Sequence, residues 1–151
     1  MSCVWWDWQG VIYYELLKKN HSVNSDIYVQ QMEHLHSAIQ QKRRNRNHGV
    51  LLHDNARPHT ARRTKNVIQA YGWEILPHPP YSPDLAPSDF HLLRSLSNAI
   101  SGTSFDSEAQ LGTWLDEFFE SKSPDFYKRG IDNLVNCWER VVQNNGEYIT
   151  D

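Results

Sequence analysis

The chain has 151 residues, of which 39% are hydrophobic and 12% aromatic, with six tryptophans among them. This length and composition exclude a disordered chain and predict one folded domain, residues 1–151, with a substantial core. The sequence has no apolar run long enough for a membrane span and no secretion signal. Its two cysteines, Cys3 and Cys137, fit no metal-ligand spacing. We therefore expect a soluble intracellular protein with reduced thiols, although the sequence leaves a disulfide open.

The net charge of −3 argues mildly against a free-standing nucleic-acid binder. The charge is unevenly distributed, however. Residues 1–88 carry ten basic against seven acidic side chains, and residues 89–151 carry five against eleven. A basic first half is compatible with DNA contact on one face of the protein.

The first elements predicted are a hairpin and a helix. Residues 2–8 and 11–17 have strand patterns, and the turn signal Gln9-Gly10 lies between them. Ser25 is a plausible N-cap for an amphipathic helix over residues 26–42. The apolar side chains of this helix recur at spacings of four, three and four, at Tyr28, Met32, Leu35 and Ile39.

A strand, a helix and a second strand are predicted next. Residues 49–53 form a short apolar run that ends at Asp54-Asn55, as is typical of a buried strand. Thr60 is a candidate cap for a helix that ends at Gly72, and residues 73–76 form another short strand. This order favours a parallel pair beside the hairpin, in one mixed sheet.

The last third of the chain is predicted to be helical. Residues 77–88 hold five prolines and form a stiff connector. Ser88 is then a candidate N-cap, with Asp89 in the first helical turn. Helices are predicted over residues 90–100, 107–122 and 124–144.

Three aspartates stand out as candidate metal ligands. Asp7 ends the first strand, Asp54 follows a later strand, and Asp89 begins a helix, with thirty-four residues between Asp54 and Asp89. Carboxylates on three different elements can converge and hold hard divalent cations through oxygen. Two such ions are the usual means of cutting and joining phosphodiesters. The arrangement matches the RNase H-like layout, an α/β fold with a mixed sheet flanked by helices.

Several segments of the chain resemble mariner transposases. His-Asp-Asn-Ala-Arg-Pro-His at 53–59 is similar to the second catalytic block of that family, and residues 77–89 are similar to the third. Val-Trp-Trp-Asp at 4–7, with residues 10–17, resembles the first. Residues 126–131 and 145–148 resemble the mariner C-terminus, so the resemblance runs nearly from end to end.

The resemblance implies a site and a reaction. Asp7, Asp54 and Asp89 would be the catalytic carboxylates and would hold two Mg²⁺ or Mn²⁺ ions. Asp7 would bridge both ions, while Asp54 and Asp89 would each hold one. The implied activity is metal-dependent cleavage of transposon-end DNA and strand transfer into TA target sites, in the nucleus. DNA is the implied partner, a homodimer is compatible with the family, and neither a membrane nor a small-molecule substrate is expected.

The resemblance covers the catalytic domain alone. Mariner transposases carry an N-terminal helix-turn-helix region that recognises the transposon ends, and we expect it to be absent here. The chain also resembles the transposase part of a fusion between a SET methyltransferase and a mariner domain. Nothing in it resembles a SET domain, so methyltransferase activity is not implied.

Seven basic residues are candidate DNA contacts. Four of them follow Asp54 closely and are expected at the rim of the site, and three belong to a charge run that ends the first helix. They are Arg57, Arg62, Arg63 and Lys65, and Lys42, Arg43 and Arg44. The charge run, which continues to Arg46, also fits a solvated helix end or a weak nuclear signal.

Simpler interpretations exist for each feature. Asp7 could be a turn residue, Asp54 could cap a strand-to-loop turn, and Asp89 could complement a helix dipole. Zinc is disfavoured because no pair among His53, His59, His78 and His91 has the spacing of a structural site.

Two alternative functions are also open. One is a truncated or domesticated fragment that binds DNA or protein without catalysis. The other is a generic RNase H-like nuclease, which would prefer RNA–DNA hybrids.

Overall fold

A computed structural model describes residues 2–18, 22–44, 49–53, 57–79, 82 and 85–143, without the side chains of Ser2 and Arg57. Asp54 lies outside the described residues, as do Arg46, part of the proline-rich connector and residue 144. The chain forms two compact units. Unit 1 comprises Met1–Trp5 and Ile12–Pro80, and unit 2 comprises Trp6–Val11 and Tyr81–Asp151. The prediction of a single domain stays a prediction.

The predicted hairpin is present, with strand β1 at Ser2–Asp7 and strand β2 at Gly10–Leu16. Gly10 has φ of 134°, a backbone conformation that glycine adopts readily and other residues avoid. Successive side chains of a strand face opposite sides. Accordingly Trp5 stacks on Tyr13 and Tyr28 within unit 1, whereas Trp6 contacts rings of unit 2.

Helix α1, Ser25–Lys42, supplies much of the core of unit 1. Tyr28, Met32 and Leu35 are buried on its predicted apolar face. The prediction of Ser25 as the N-cap was wrong by one residue. Asn24 caps the helix because its Oδ1 accepts the N–H of Ile27 at 2.8 Å, which satisfies an amide of the first turn.

The predicted parallel pair is also present, but each strand is only two residues long. Strand β3, Val50–Leu51, lies beside strand β4, Glu74–Ile75, in parallel register. Val50 and Ile75 are 59% and 37% exposed. Among the described residues this pair and the hairpin are separate two-stranded sheets, so the expected single sheet is not formed there.

Two helices connect β3 to β4. Helix α2 is one turn, Arg57–Thr60, and helix α3 is Arg62–Ala70. Thr60 therefore ends a helix instead of capping one, and Ala61 at the start of α3 makes no side-chain cap bond. Thr64 and Ile68 are buried, and Ile68 joins the core formed with α1.

Unit 2 contains a π-helix followed by three α-helices. The π-helix spans Ser88–Leu93 and continues into α4, Arg94–Ile100. Ser88 is the first residue of the π-helix and not its cap, a position that Pro87 occupies. The Ser88 hydroxyl instead accepts the indole N–H of Trp6. Asp89 lies in the first turn, as predicted.

Helices α5, Glu108–Ser121, and α6, Pro124–Gln143, complete unit 2. Ser107 caps α5 by accepting the N–H of Gln110 at 3.1 Å. The core of the unit is built by Leu85, which precedes the π-helix, and by side chains from all of these helices: Leu92, Leu96, Leu115, Phe118, Phe119, Tyr127 and Cys137. No helix in the described part of the chain has the length and apolar character of a membrane span.

Candidate functional site

Asp7 ends β1 and is buried, with 9% of its surface exposed. Its Oδ1 accepts the backbone N–H of Gln9 at 2.9 Å. This bond closes a turn in which an aspartate side chain replaces a backbone acceptor, a common role for this residue type. The structure therefore shows Asp7 in a turn, which is the simpler interpretation that the sequence also allowed. Its role as a metal ligand stays a prediction.

Asp89 lies in a different setting within the same unit. It is exposed on the first turn of the π-helix, one residue after Ser88. The Ser88 hydroxyl accepts the Trp6 indole N–H at 2.8 Å, which joins this turn to the strand that carries Asp7. π-Helical turns are rare and occur frequently at functional sites. A carboxylate on such a turn is accessible to a ligand from solvent.

Asp54 lies outside the described residues, so its distance from the other two aspartates is not part of the structure. Within the described ranges, no three His, Cys, Asp or Glu side chains are grouped as a metal site. Because Asp54 is not among the residues compared, this finding leaves the predicted three-aspartate site untested.

Two histidines on either side of Asp54 in the sequence, His53 and His59, form a ring cluster with Tyr28 of α1 in unit 1. We call this cluster the Tyr28 stack. The two imidazoles are parallel within 4°, with centroids 4.9 Å apart, and Tyr28 lies 4.1 Å from His59. The Tyr28 hydroxyl and His53 Nδ1 are hydrogen-bonded at 2.9 Å. Tyr28 is 1% exposed, so the stack fixes the last residue before Asp54 to the core. Sequence analysis placed Tyr28 on the apolar face of α1 but missed this contact.

From the sequence, His91, two residues after Asp89, is a weaker candidate for contact with a metal ligand or with DNA. In the structure its Nε2–H donates to the backbone carbonyl of Phe126 in α6 at 2.6 Å. Its ring also contacts the Phe126 ring, with centroids 4.2 Å apart. The sequence signal for this contact is Gly130, a small residue on the buried face of an otherwise bulky helix.

The predicted DNA contacts differ in their exposure and in the protein groups that they already contact. Lys42 and Arg63 already have protein partners, since Lys42 Nζ donates to the Ile12 carbonyl at 2.8 Å and Arg63 pairs with Asp26. Arg62 and Lys65 are exposed on α3, and Arg44 is exposed after α1. Arg43 is half-buried and donates to the Lys42 carbonyl at 3.3 Å. The backbone of Arg57 begins α2, but its side chain is outside the description.

Burial raises the pKa values of side chains in the hairpin and in unit 2, among them Cys3 and Tyr127. It raises the pKa of Tyr127 to about 12, and the Tyr127 hydroxyl donates to the Phe119 carbonyl at 2.7 Å. Burial also raises the pKa of the Cys3 thiol. Cys3 and Cys137 are not joined by a disulfide in the structure.

Comparison with known proteins identifies the relatives of this chain. Residues 1–48 match the family model described as Transposase (partial DDE domain). The mariner Mos1 transposase of Drosophila mauritiana is 49% identical over 153 residues, which cover 99% of this chain and 44% of the relative. The human histone-lysine N-methyltransferase SETMAR is 38% identical over 98% of this chain and 22% of its own length. The chain thus spans less than half of either relative.

Solved structures give the same assignment. The Mos1 transposase catalytic domain with raltegravir and Mg matches with a TM-score of 0.95 and 46% identity, over 99% of this chain and 76% of that one. A Mos1 paired-end complex with the left transposon end matches with a TM-score of 0.96 and 48% identity, over 99% of this chain and 44% of that one. The predicted RNase H-like α/β class is confirmed by these matches. The chain belongs to the mariner transposase family, where it matches most of the catalytic domain.

Proposed function

We propose that this chain is the catalytic core of a mariner-type DNA transposase. Its activity would be metal-dependent cleavage of transposon-end DNA and strand transfer into TA target sites. The observation that carries this proposal is the match to the Mos1 catalytic domain, which extends over 99% of the chain at 46% identity. Structures of Mos1 transposase in paired-end complexes support DNA as the partner and a pair of catalytic domains as the working form. The nucleus is the compartment in which such a partner is found.

Mg²⁺ or Mn²⁺ is the proposed cofactor. The Mos1 catalytic domain has been solved with each of these ions. The exposed carboxylate of Asp89 fits such an ion, because hard cations prefer oxygen ligands. Two ions held at the site would activate the nucleophile and stabilise the leaving oxygen. We assign Asp89 and Asp54 as ligands, Asp89 on its exposure and Asp54 on its sequence block.

Asp7 has weaker support as a ligand. One of its oxygens is already bonded to the Gln9 amide, and the side chain is buried. A turn residue with these contacts explains its position in the hairpin without a metal. About a quarter of the Mos1 catalytic domain has no counterpart in this chain, since the match covers 76% of it. We propose that a third carboxylate comes from that part, and that Asp7 shapes the hairpin.

DNA phosphates are the proposed partners of the exposed basic side chains. Arg62 and Lys65 on α3, and Arg44 after α1, can each neutralise a phosphate. Lys42 and Arg63 are poorer candidates because their cationic groups already contact Ile12 and Asp26. We keep Arg57 in the proposal on its place in the sequence block.

A chimera with Mos1 transposase tests the proposal. The 153-residue matched segment of Mos1 transposase would be replaced by these 151 residues, and cleavage of Mos1 transposon-end DNA would be measured with Mg²⁺. We expect the chimera to cleave, and Asp54→Asn or Asp89→Asn to lower the rate at least about 100-fold. Asp106→Asn, at an exposed loop position, is the matched control and should leave the rate unchanged.

The outcome also decides between the alternatives. A folded chimera that does not cleave would support the second candidate, an idle fragment that binds DNA or protein. Cleavage of an RNA–DNA hybrid in preference to transposon-end DNA would support a generic nuclease. If the Asp54 and Asp89 variants cleave as fast as the unchanged chimera, the assignment of these ligands is wrong.

A further inference from the structure

His91 makes three contacts within unit 2, two with Phe126 of helix α6 and one with Trp6 of strand β1. Its Nε2–H donates to the Phe126 carbonyl at 2.6 Å. Since a carbonyl only accepts, this bond also requires the hydrogen to be on Nε2. The ring contacts Phe126 at 4.2 Å between centroids, and on another side it stacks on Trp6 at 6.4 Å with an angle of 23°.

Gly130 provides the space for this ring. A Cβ atom added at Gly130 would collide with Cδ2 and Cγ of His91, so any larger residue there must displace the imidazole. The Phe126 carbonyl lies four residues before Gly130 and is therefore the acceptor of the Gly130 amide in an α-helix. The imidazole thus lies against one peptide step of α6 and adds a second donor to its oxygen.

The same π-helix is held at its other end by Trp6. The Trp6 indole N–H donates to Ser88 Oγ at 2.8 Å, and its ring lies 5.9 Å from Tyr127 of α6. Asp89 lies between the two attachment points, one residue after Ser88 and two before His91. A displacement of the imidazole would therefore move the turn that presents the Asp89 carboxylate.

We propose that His91, seated on Gly130, is a positioning residue that fixes the π-helical turn so that Asp89 can ligate a metal ion. This inference rests on the proposed function, in which Asp89 is a ligand. His91 itself does not contact the ion. It acts through the backbone, in the way that outer partners of metal ligands commonly govern ligand orientation.

Four variants of this chain, made within the chimera with Mos1 transposase, test the proposal. Gly130→Ala places a methyl group against the imidazole, whereas Gly112→Ala is a matched helical control whose Cβ would meet no atom within 4 Å. His91→Leu keeps side-chain volume but removes the donor. His91→Gln keeps an N–H that can reach the Phe126 carbonyl, so it is the conservative replacement.

Two measurements follow each variant: Mn²⁺ affinity by calorimetry, and amide hydrogen exchange of residues 88–93. Circular dichroism melting shows that each variant is folded. We expect Gly130→Ala and His91→Leu to weaken Mn²⁺ binding about 10- to 100-fold and to speed the exchange of residues 88–93. Gly112→Ala should change neither quantity, and His91→Gln should restore affinity to within about threefold of the unchanged chain.

The proposal fails if Gly130→Ala and His91→Leu lower the melting temperature while Mn²⁺ affinity stays unchanged, because that result makes the contact purely structural. If the chimera with the unchanged chain binds no Mn²⁺, the ligand role of Asp89 is refuted and this proposal with it. In that case the exchange data still show whether His91 orders the π-helix. Adding His91→Ala to Gly130→Ala removes the collision and separates steric displacement from loss of the hydrogen bond.

Discussion

The segments around Asp54 and Asp89 are held in two different ways. Next to Asp54, the Tyr28 stack attaches His53 and His59 to a buried side chain of α1 through ring faces and a hydroxyl. Next to Asp89, His91 is attached to the backbone of α6 and depends on the absence of a side chain at Gly130. The first arrangement depends on the large buried ring of Tyr28, and the second depends on the lack of a side chain at Gly130. The two predicted ligands should therefore respond to different kinds of substitution.

The largest effect on stability is expected from removing the ring at the centre of the first arrangement. Tyr28 is 1% exposed and contacts Trp5, His53 and His59. Tyr28→Ala should lower the free energy of unfolding by about 3–5 kcal/mol, because it leaves a cavity where a whole ring was packed. Urea unfolding measures this loss. A loss below about 1 kcal/mol would show that unit 1 repacks easily and that the stack is not its anchor.

The second arrangement should respond to alkaline pH. Tyr127 packs against Trp6, and burial raises its pKa from 10.0 to about 12. The unfolded chain loses this proton first. The stabilisation is therefore complete below pH 10 and is lost as the pH rises from 10 towards 12. A shift of this size corresponds to on the order of 2 kcal/mol.

Urea unfolding at several pH values checks this prediction, with Tyr127→Phe as the comparison. The variant lacks the ionisable group and should show a shallower decline above pH 10. Burial also raises the pKa values of Tyr13 and Tyr71 in unit 1, so part of the decline should remain. Identical pH profiles for the two proteins would contradict the assignment to Tyr127.

A smaller effect is expected at the hairpin turn. Asp7→Asn keeps an oxygen that can accept the Gln9 N–H, whereas Asp7→Ala removes the acceptor. We expect Asp7→Ala to cost about 1 kcal/mol in unfolding free energy and Asp7→Asn to cost about half of that or less. In the chimera, Asp7→Asn should cleave transposon-end DNA at the unchanged rate. A rate as low as that of Asp89→Asn would restore Asp7 as a ligand.

The smallest effect is expected at the Arg63–Asp26 ion pair, where both side chains are more than 60% exposed. Arg63→Ala should change stability by no more than about 1 kcal/mol, as exposed pairs contribute little. The DNA affinity of Arg63→Ala is to be compared with that of Arg62→Ala at several salt concentrations. Arg62→Ala should reduce the slope of log affinity against log salt by about 1, and Arg63→Ala should leave it unchanged. Equal slopes for the two variants would remove Arg62 from the proposed interface.

Sequence patterns predicted the long elements well because their signals are repeated. The spacing of Tyr28, Met32 and Leu35 predicted α1, and the parallel order of β3 and β4 followed from one strand, one helix and one strand. Caps were predicted less well because a single side chain decides each one. Asn24 and Ser25 are equally plausible caps by type, and the hydroxyl of Ser88 is bonded to Trp6 instead.

Most contacts around the predicted ligands could not be predicted from the sequence. The contact between His91 and Gly130 joins residues 39 positions apart, and no local pattern relates them. The π-helix could not be recognised from the sequence either, since it is only six residues long and so too short to show a period of its own. Asp7 had the sequence context of a ligand, but the hydrogen bond to Gln9 could be recognised only from coordinates.

The short parallel pair has a practical consequence for handling the protein. Parallel strands are normally covered on both faces, yet Val50 and Ile75 are 59% and 37% exposed in this two-stranded ladder. Exposed strand edges with β-branched side chains can recruit a strand from another molecule, which leads to aggregation in concentrated solution. Val50→Lys should therefore improve solubility. The same edge could accept a strand from a longer polypeptide, in which case lysine at position 50 would interfere with folding of that larger protein.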